Sequence, residues 1–263
     1  MSVIKNSSSR IIDKKLSNNY CVIRLEAQEI ASKAQPGQFV MIRTTSQTYP
    51  LLRRPFSIHD VNGNEIEIFF QKIGLGTNLL SQKKINDSVD VLGPLGKGFH
   101  LDAKRKEVAI IGGGKGIAPL YFLARRLLSL EISPQIFYGG KSTSDLCLKN
   151  KFEEKGIDIF CSTEDGSLGF KGLITEMFEH EFESSNPEQI YSCGPELMMK
   201  KIAQWAMKRK INAEFSLESV MGCGFGACWG CVRKIKKNGE YGLHKICEEG
   251  PVFYADEIVW QEN

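Results

Sequence analysis

Four cysteines, Cys223, Cys228, Cys231 and Cys247, stand in the order C-x4-C-x2-C, then fifteen residues, then C. Thiolates are the ligands that iron–sulfur clusters use, and this spacing is the plant-type pattern for a [2Fe–2S] cluster. Gly222, Gly224, Gly226 and Gly230 punctuate the loop. A chain wound tightly around inorganic sulfide needs such positive-φ positions, with backbone N–H groups turned inward. The basic run Arg233 to Lys237 reads as a solvated hairpin edge, with Cys247 supplied from the end of that hairpin. Zinc is the competing metal, but zinc knuckles take two close Cys pairs, whereas here the last cysteine stands alone. Cys21, Cys147 and Cys161 are scattered singly among apolar neighbours and read as free buried cysteines.

Other stretches have phosphate chemistry. In Arg53-Arg54-Pro55-Phe56-Ser57-Ile58, an arginine fixed before a proline can offer its guanidinium fork to a phosphate. Gly74-Leu75-Gly76-Thr77 opens an expected helix, whose free N–H groups suit a pyrophosphate. Each also has an ordinary reading: a surface ion pair for Arg54, a plain turn for Gly74 and Gly76. From Val108 a buried strand runs into Gly112-Gly113-Gly114-Lys115-Gly116 and a helix through Leu130, a βα turn that can cradle phosphate. It is not G-x-G-x-x-G, so the ordinary dinucleotide fingerprint does not apply.

The elements that must position these pieces fall into three blocks. Residues 1–103 carry short strands such as Tyr20–Leu25, Gln38–Arg43 and Glu65–Phe70, separated by Pro36-Gly37 and Asn62-Gly63, which predicts an antiparallel barrel or sandwich. Residues 104–215 alternate strands (135–140, 157–163, 189–195, 211–216) with helices (146–155, 174–183, 196–210), which predicts an α/β domain on an open parallel sheet. Its glycines Gly112 to Gly114, Gly139, Gly140, Gly166 and Gly194 fall at the carboxyl ends of strands, where such sheets bind ligands. Residues 216–263 form a small cysteine module.

Composition excludes several classes. Of 263 residues, 42% are hydrophobic and 25% charged, and the longest apolar stretch, Val108–Leu130, is broken by Lys115, Arg125 and Arg126, so no membrane helix is expected. A net charge of +3 with dispersed lysines does not predict a nucleic-acid partner. The first ten residues have no apolar run of the secretory kind, so a reducing, cytoplasmic setting is expected.

In combination, Arg54-Pro55-Phe56-Ser57, Gly74-x-Gly76-Thr77, Gly112-Gly113-Gly114-x-Gly116-Ile117-Ala118-Pro119, Tyr191-Ser192-Cys193-Gly194-Pro195 and the four cysteines resemble the ferredoxin–NADP reductase superfamily across nearly the whole chain. Glu164-Asp165-Gly166-Ser167, Ser216-Leu217-Glu218-Ser219 and Cys247-Glu248-Glu249-Gly250-Pro251-Val252-Phe253 are similar to the electron transfer subunits of NAD-dependent dihydroorotate dehydrogenases. The resemblance implies FAD on the first block, held by Arg54, Pro55, Phe56 and Ser57, by Phe69, Phe70 and Gln71, and by Gly76 and Thr77. It implies NAD on Gly112, Gly113, Gly114 and Gly116, with Cys193, Gly194 and Pro195 near the nicotinamide. Ser57 becomes a hydrogen-bond partner for flavin N5, while Cys193 reads either as a nicotinamide contact or as a small buried residue at a strand end. Lys115 and Gln71 depart from the residues common at those positions.

The order cluster, FAD, NAD follows from electron counting, since nicotinamide takes hydride and a [2Fe–2S] centre takes single electrons. The chain does not read as eight βα units, so dihydroorotate and FMN belong to a partner, an FMN-containing dihydroorotate dehydrogenase joined in a heterotetramer. Phe225 and Trp229 are candidates for its docking surface, with Trp229 equally readable as packed over the cluster. Two alternatives stand beside this: the small subunit of a sulfide dehydrogenase or NADH-dependent ferredoxin:NADP oxidoreductase, and a zinc-stapled interaction module without redox activity. Lys141 and Ser142 leave NAD against NADP open.

Overall fold

The computed structural model describes residues 5–260, and of 5–7 only the backbone. The ends of the first and third blocks, residues 1–4 and 261–263, lie outside the described residues. Seven antiparallel strands precede residue 96: β1 (Lys5–Ser17), β2 (Tyr20–Glu26), β3 (Phe39–Arg43), β4 (Arg54–Ser57), β5 (Asp60–Asn62), β6 (Glu65–Gln71) and β7 (Ser88–Leu95). They form one sheet in the order β4-β3-β7-β1-β2-β6-β5. α1 (Gln28–Ala31) follows β2, and α2 (Leu75–Gln82) joins β6 to β7. In β2 the alternating Cys21, Ile23 and Leu25 are buried, each aliphatic side chain contributing about 1.5–3 kcal/mol. The sheet rolls towards closure: Phe56 on its β4 edge meets Phe70 of β6 at 5.2 Å between ring centroids, and the His59 N–H donates to the Glu67 carbonyl at 2.8 Å. The antiparallel sheet, open between its β4 and β5 edges, is compatible with the expected barrel.

The parallel sheet runs β11-β10-β9-β8-β12-β13-β16. Its strands are β8 (Val108–Gly113), β9 (Gln135–Gly140), β10 (Ile159–Thr163), β11 (Phe170–Lys171), β12 (Gln189–Cys193) and β13 (Asn212–Ser216), with β16 (Val252–Tyr254) antiparallel on β13. The crossovers carry α3 (Ala118–Leu128), α4 (Lys149–Glu153), α5 (Ile174–Glu181) and α6 (Glu196–Arg209). α4 is shorter than the expected 146–155. Asp145 explains this: its carbonyl accepts the Tyr138 hydroxyl at 2.7 Å and its carboxylate the Lys141 N–H at 3.0 Å, holding 143–145 in a separate tight turn. Chain order reverses between β8 and β12, which makes their carboxyl ends the crevice of this sheet.

β14 (Val232–Lys237) and β15 (Glu240–Lys245) form the expected hairpin, turning through Asn238 and Gly239 at φ +51° and +86°. α7 (Ile246–Glu249) follows. The described residues divide into two compact units: 5–98, 218–233 and 244–251 in one, and 99–217, 234–243 and 252–260 in the other. The stretch 216–263 is therefore shared between units. Among the described residues no helix is long and apolar enough to cross a membrane. None of the eight cysteines forms a disulfide. Cys21 and Cys161 are buried as expected, but Cys147 is exposed, carried outward on the turn ahead of α4.

Candidate functional site

The four cysteines of the C-x4-C-x2-C pattern and its distant partner all lie in the first unit. They meet two by two: the thiols of Cys223 and Cys228 are hydrogen-bond partners, as are those of Cys231 and Cys247. No group of His, Cys, Asp or Glu among the described residues surrounds a single ion-sized point. Two thiol pairs would supply the four thiolates that a [2Fe–2S] cluster takes. Backbone N–H groups serve every sulfur. Gly226 donates to Cys247 Sγ at 3.1 Å, the Cys247 N–H to Cys231 Sγ at 3.4 Å and Gly230 to Cys228 Sγ at 3.4 Å. Burial pushes the Cys223 thiol up, but the N–H groups of Phe225, Cys228 and Ala227 outweigh it and bring it down to about 7. Burial, with the adjoining Cys231, pushes Cys247 up to about 12. The donor set thus fits an anionic, sulfur-bound group, since N–H bonds favour the charged thiolate.

The loop is tied to the antiparallel sheet. Gly224, at φ +83°, lies so close to Met41 that a Cβ would collide with its Cγ. Met41 is fully buried on β3 and faces Pro55 of β4 across the ladder. The Arg54-Pro55-Phe56-Ser57 strand and the cysteine loop therefore share Met41 as a common support. Phe225 and Trp229 project outward, 45% and 57% exposed.

At the start of α2, a Cβ on Gly76 would sit 3.2 Å from both Cγ and Nε of Arg54 and 3.6 Å from Thr44 Oγ1. Thr44 Oγ1 is buried and has no hydrogen-bond partner. An orphaned hydroxyl, a guanidinium and a glycine without side chain make a cradle that fits the diphosphate of FAD. Arg53 takes the ion pair, with Asp90 Oδ2 at 2.6 Å, while Arg54 Nη1 donates to the Leu52 carbonyl at 2.7 Å. Thr77 Oγ1 accepts the N–H groups of Ile73 and Gly74 at 3.0 and 3.1 Å and so caps the helix. Pro55, Ser57 and Gln71 are half-buried, whereas Phe56, Phe69 and Phe70 are packed inside the unit, Phe69 stacked on Tyr20. Thr44 escaped sequence reasoning because a threonine just past a strand end, followed by Thr45, has no signature.

In the second unit the loops after β8 and β12 interlock. A Cβ on Gly116 would lie 2.5 Å from the Cys193 carbonyl oxygen and from Gly194 Cα, and one on Gly113 2.5 Å from Pro195 Cδ. Gly112 is pressed against Ile117, and Gly114, at φ +51°, has open space above it. Gly112, Gly113, Gly114, Gly116, Cys193, Gly194 and Pro195 are thus brought together, with Cys193 buried, Pro195 exposed and Lys115 exposed. The buried hydroxyls of Ser162 and Ser192, on β10 and β12, have no hydrogen-bond partner. Open glycine backbone and unpaired hydroxyls at the carboxyl edge fit a dinucleotide.

Comparison with known proteins places these features. Residues 218–259 match the iron-sulfur cluster binding domain of dihydroorotate dehydrogenase B, and residues 110–204 match the oxidoreductase NAD-binding domain. The dihydroorotate dehydrogenase B (NAD(+)) electron transfer subunit of Desulforamulus reducens is 37% identical over 96% of this chain and 100% of its own. That of a Geobacillus species is 38% identical over 94% and 95%. Among solved structures, an NADH-dependent reduced ferredoxin-NADP oxidoreductase superposes with a TM-score of 0.83 at 26% identity, covering 97% of this chain and 90% of that one. A ferredoxin NADP+ reductase from Neisseria gonorrhoeae, with bound FAD and NADP, shares the fold at a TM-score of 0.65 and 16% identity, covering 78% and 91%.

Proposed function

The chain belongs to the family of the electron transfer subunits of dihydroorotate dehydrogenase B (NAD(+)), and on that premise we propose that it passes electrons from a partner FMN dihydroorotate dehydrogenase through a [2Fe–2S] cluster and FAD to NAD+, in pyrimidine (UMP) biosynthesis. The observation that carries this reading is the seating of Gly224 on Met41, the register partner of Pro55, which puts the cysteine loop and the flavin strand on one support. A bound flavin exchanges electrons singly or in pairs and so joins a one-electron centre to a hydride carrier.

The chain's own groups bind and orient. Arg54, Thr44, Gly76 and Thr77 hold the FAD diphosphate, with Pro55, Phe56, Phe69, Phe70 and Gln71 framing the flavin and the Ser57 hydroxyl offered to its N5. Gly112 to Gly114 and Gly116 take the NAD+ diphosphate at the β8 turn, and Cys193-Gly194-Pro195 lines the nicotinamide, with Cys193 as a contact and not a nucleophile. Cys223, Cys228, Cys231 and Cys247 bind the cluster.

Dihydroorotate oxidation falls to the partner subunit in a heterotetramer, docked over Phe225 and Trp229. Eight cysteines outside any disulfide suit a cytoplasmic setting. The zinc-stapled module and the alternative electron partners are set aside in favour of the named relatives.

The test is division of labour. The purified chain should reduce a dye with NADH and leave dihydroorotate untouched, and orotate and NADH should form from dihydroorotate and NAD+ only after the FMN subunit is added. Dihydroorotate oxidation by the chain alone, or a chain inert with its FMN partner yet coupling NADH to ferredoxin, would overturn the reading.

A further inference from the structure

Lys245 takes no part in the roles above, yet its ammonium makes three contacts beside the cysteine loop. Nζ donates to the Gly226 carbonyl at 2.9 Å, pairs with Glu248 Oε2 at 2.8 Å and stands 4.7 Å from the centroid of the Trp229 ring. Its side chain is only 19% exposed and that of Glu248 27%, so this pair is partly withdrawn from water. Gly226 is fixed from the other side as well. At φ +87° it lies directly against the Glu248 carboxylate.

The peptide that Lys245 grips leads to the sulfurs. The Gly226 carbonyl belongs to the same peptide unit as the Ala227 N–H, which is among the backbone groups that favour the Cys223 thiolate. The N–H of Gly226 itself donates to Cys247 Sγ at 3.1 Å. One lysine therefore holds the backbone that serves two cysteines from different halves of the ligand set.

We propose that Lys245 is a positioning residue that raises the reduction potential of the cluster by holding and polarising the Gly226–Ala227 peptide. The inference rests on the [2Fe–2S] reading above. Reduction adds negative charge to the cluster and its thiolates, and N–H bonds to the sulfurs stabilise that charge. An ammonium on the carbonyl end of a peptide strengthens its N–H as a donor, and the Trp229 ring beside it keeps the arrangement from solvent. Because Glu248 neutralises Lys245, the influence travels through these hydrogen bonds more than through net charge.

The experiment is a potentiometric EPR titration of full-length wild type, Lys245→Met and Lys245→Arg, with iron, labile sulfide and FAD counted in each. Lys245→Met should lower the one-electron equilibrium constant about tenfold, about 59 mV, while Lys245→Arg stays near wild type. Loss of cluster in Lys245→Met, with FAD retained and the cluster restored in Lys245→Arg, equally supports the role. An unchanged potential with unchanged iron and sulfide in Lys245→Met would overturn it, as would parallel loss of cluster and FAD in both variants. A wild-type protein without iron and sulfide would instead remove the cluster reading itself.

Discussion

Glu214, on β13, accepts the backbone N–H of His100 through Oε2 at 2.9 Å while its other carboxylate oxygen is buried without a partner. Burial is the main cause that pushes its carboxyl up from 4.5 to about 7; the His100 N–H and Arg105 oppose the rise, and Glu257 adds to it. A folded-state pKa above the unfolded value means the folded protein binds the proton more tightly. The resulting stability is fully present below about 4.5 and is lost as pH rises through about 7. At 1.36 kcal/mol per pH unit the span is roughly 3 kcal/mol. Glu214→Gln, which keeps an acceptor for His100 and adds a donor, should flatten this part of the profile and stabilise the protein at pH 8. Denaturation curves of both proteins from pH 4.5 to 8 check it, and equal slopes would remove Glu214 as the cause.

Cys228 is the exposed member of the thiol pairs. Cys228→Ser should lose most of the iron and labile sulfide and the EPR signal of the reduced protein, while FAD content stays near wild type because the Arg54 cradle uses other residues. Metal analysis beside flavin absorbance is the measurement. A full-strength cluster signal would end the ligand assignment.

Arg54 and Gly76 form the wall of the cradle proposed for the diphosphate. Arg54→Ala removes charge-assisted hydrogen bonds of roughly 1.5–3 kcal/mol, so FAD affinity should fall about ten- to a hundredfold. Thr44→Val, which replaces an orphaned hydroxyl by a methyl, should weaken FAD by a smaller factor without harming stability. Flavin-binding titrations of the deflavinated proteins separate the two.

Gly116 has Cys193 and Gly194 backbone within 2.5 Å of where a Cβ would stand. Backbone cannot swing aside as a flexible side chain can, so Gly116→Ala should cost about 1–3 kcal/mol of stability and raise the KM for NADH in dye reduction. Gly114→Ala meets open space but must hold φ +51°, costing roughly 1–2 kcal/mol by strain alone. Comparing thermal melts and NADH kinetics of the two variants distinguishes collision from strain.

What the sequence determined by itself was chemistry with short-range signatures. The cysteine spacing, the Arg54-Pro55-Phe56-Ser57 strand, the βα turn at Gly112 to Gly116 and the two sheet types were legible because thiolate ligation, proline geometry, glycine packing and hydrophobic period are local properties. β1 was not, since Lys5 to Arg10 is polar, and only its pairing with β2 and β7 makes it a strand. Nor could spacing reveal that Gly224 rests on Met41, that Thr44 is left unpaired beside Gly76, or that Lys245 reaches back to Gly226. Each joins residues far apart in the chain through a single ordinary side chain, and such contacts exist only once the tertiary fold has closed the distance.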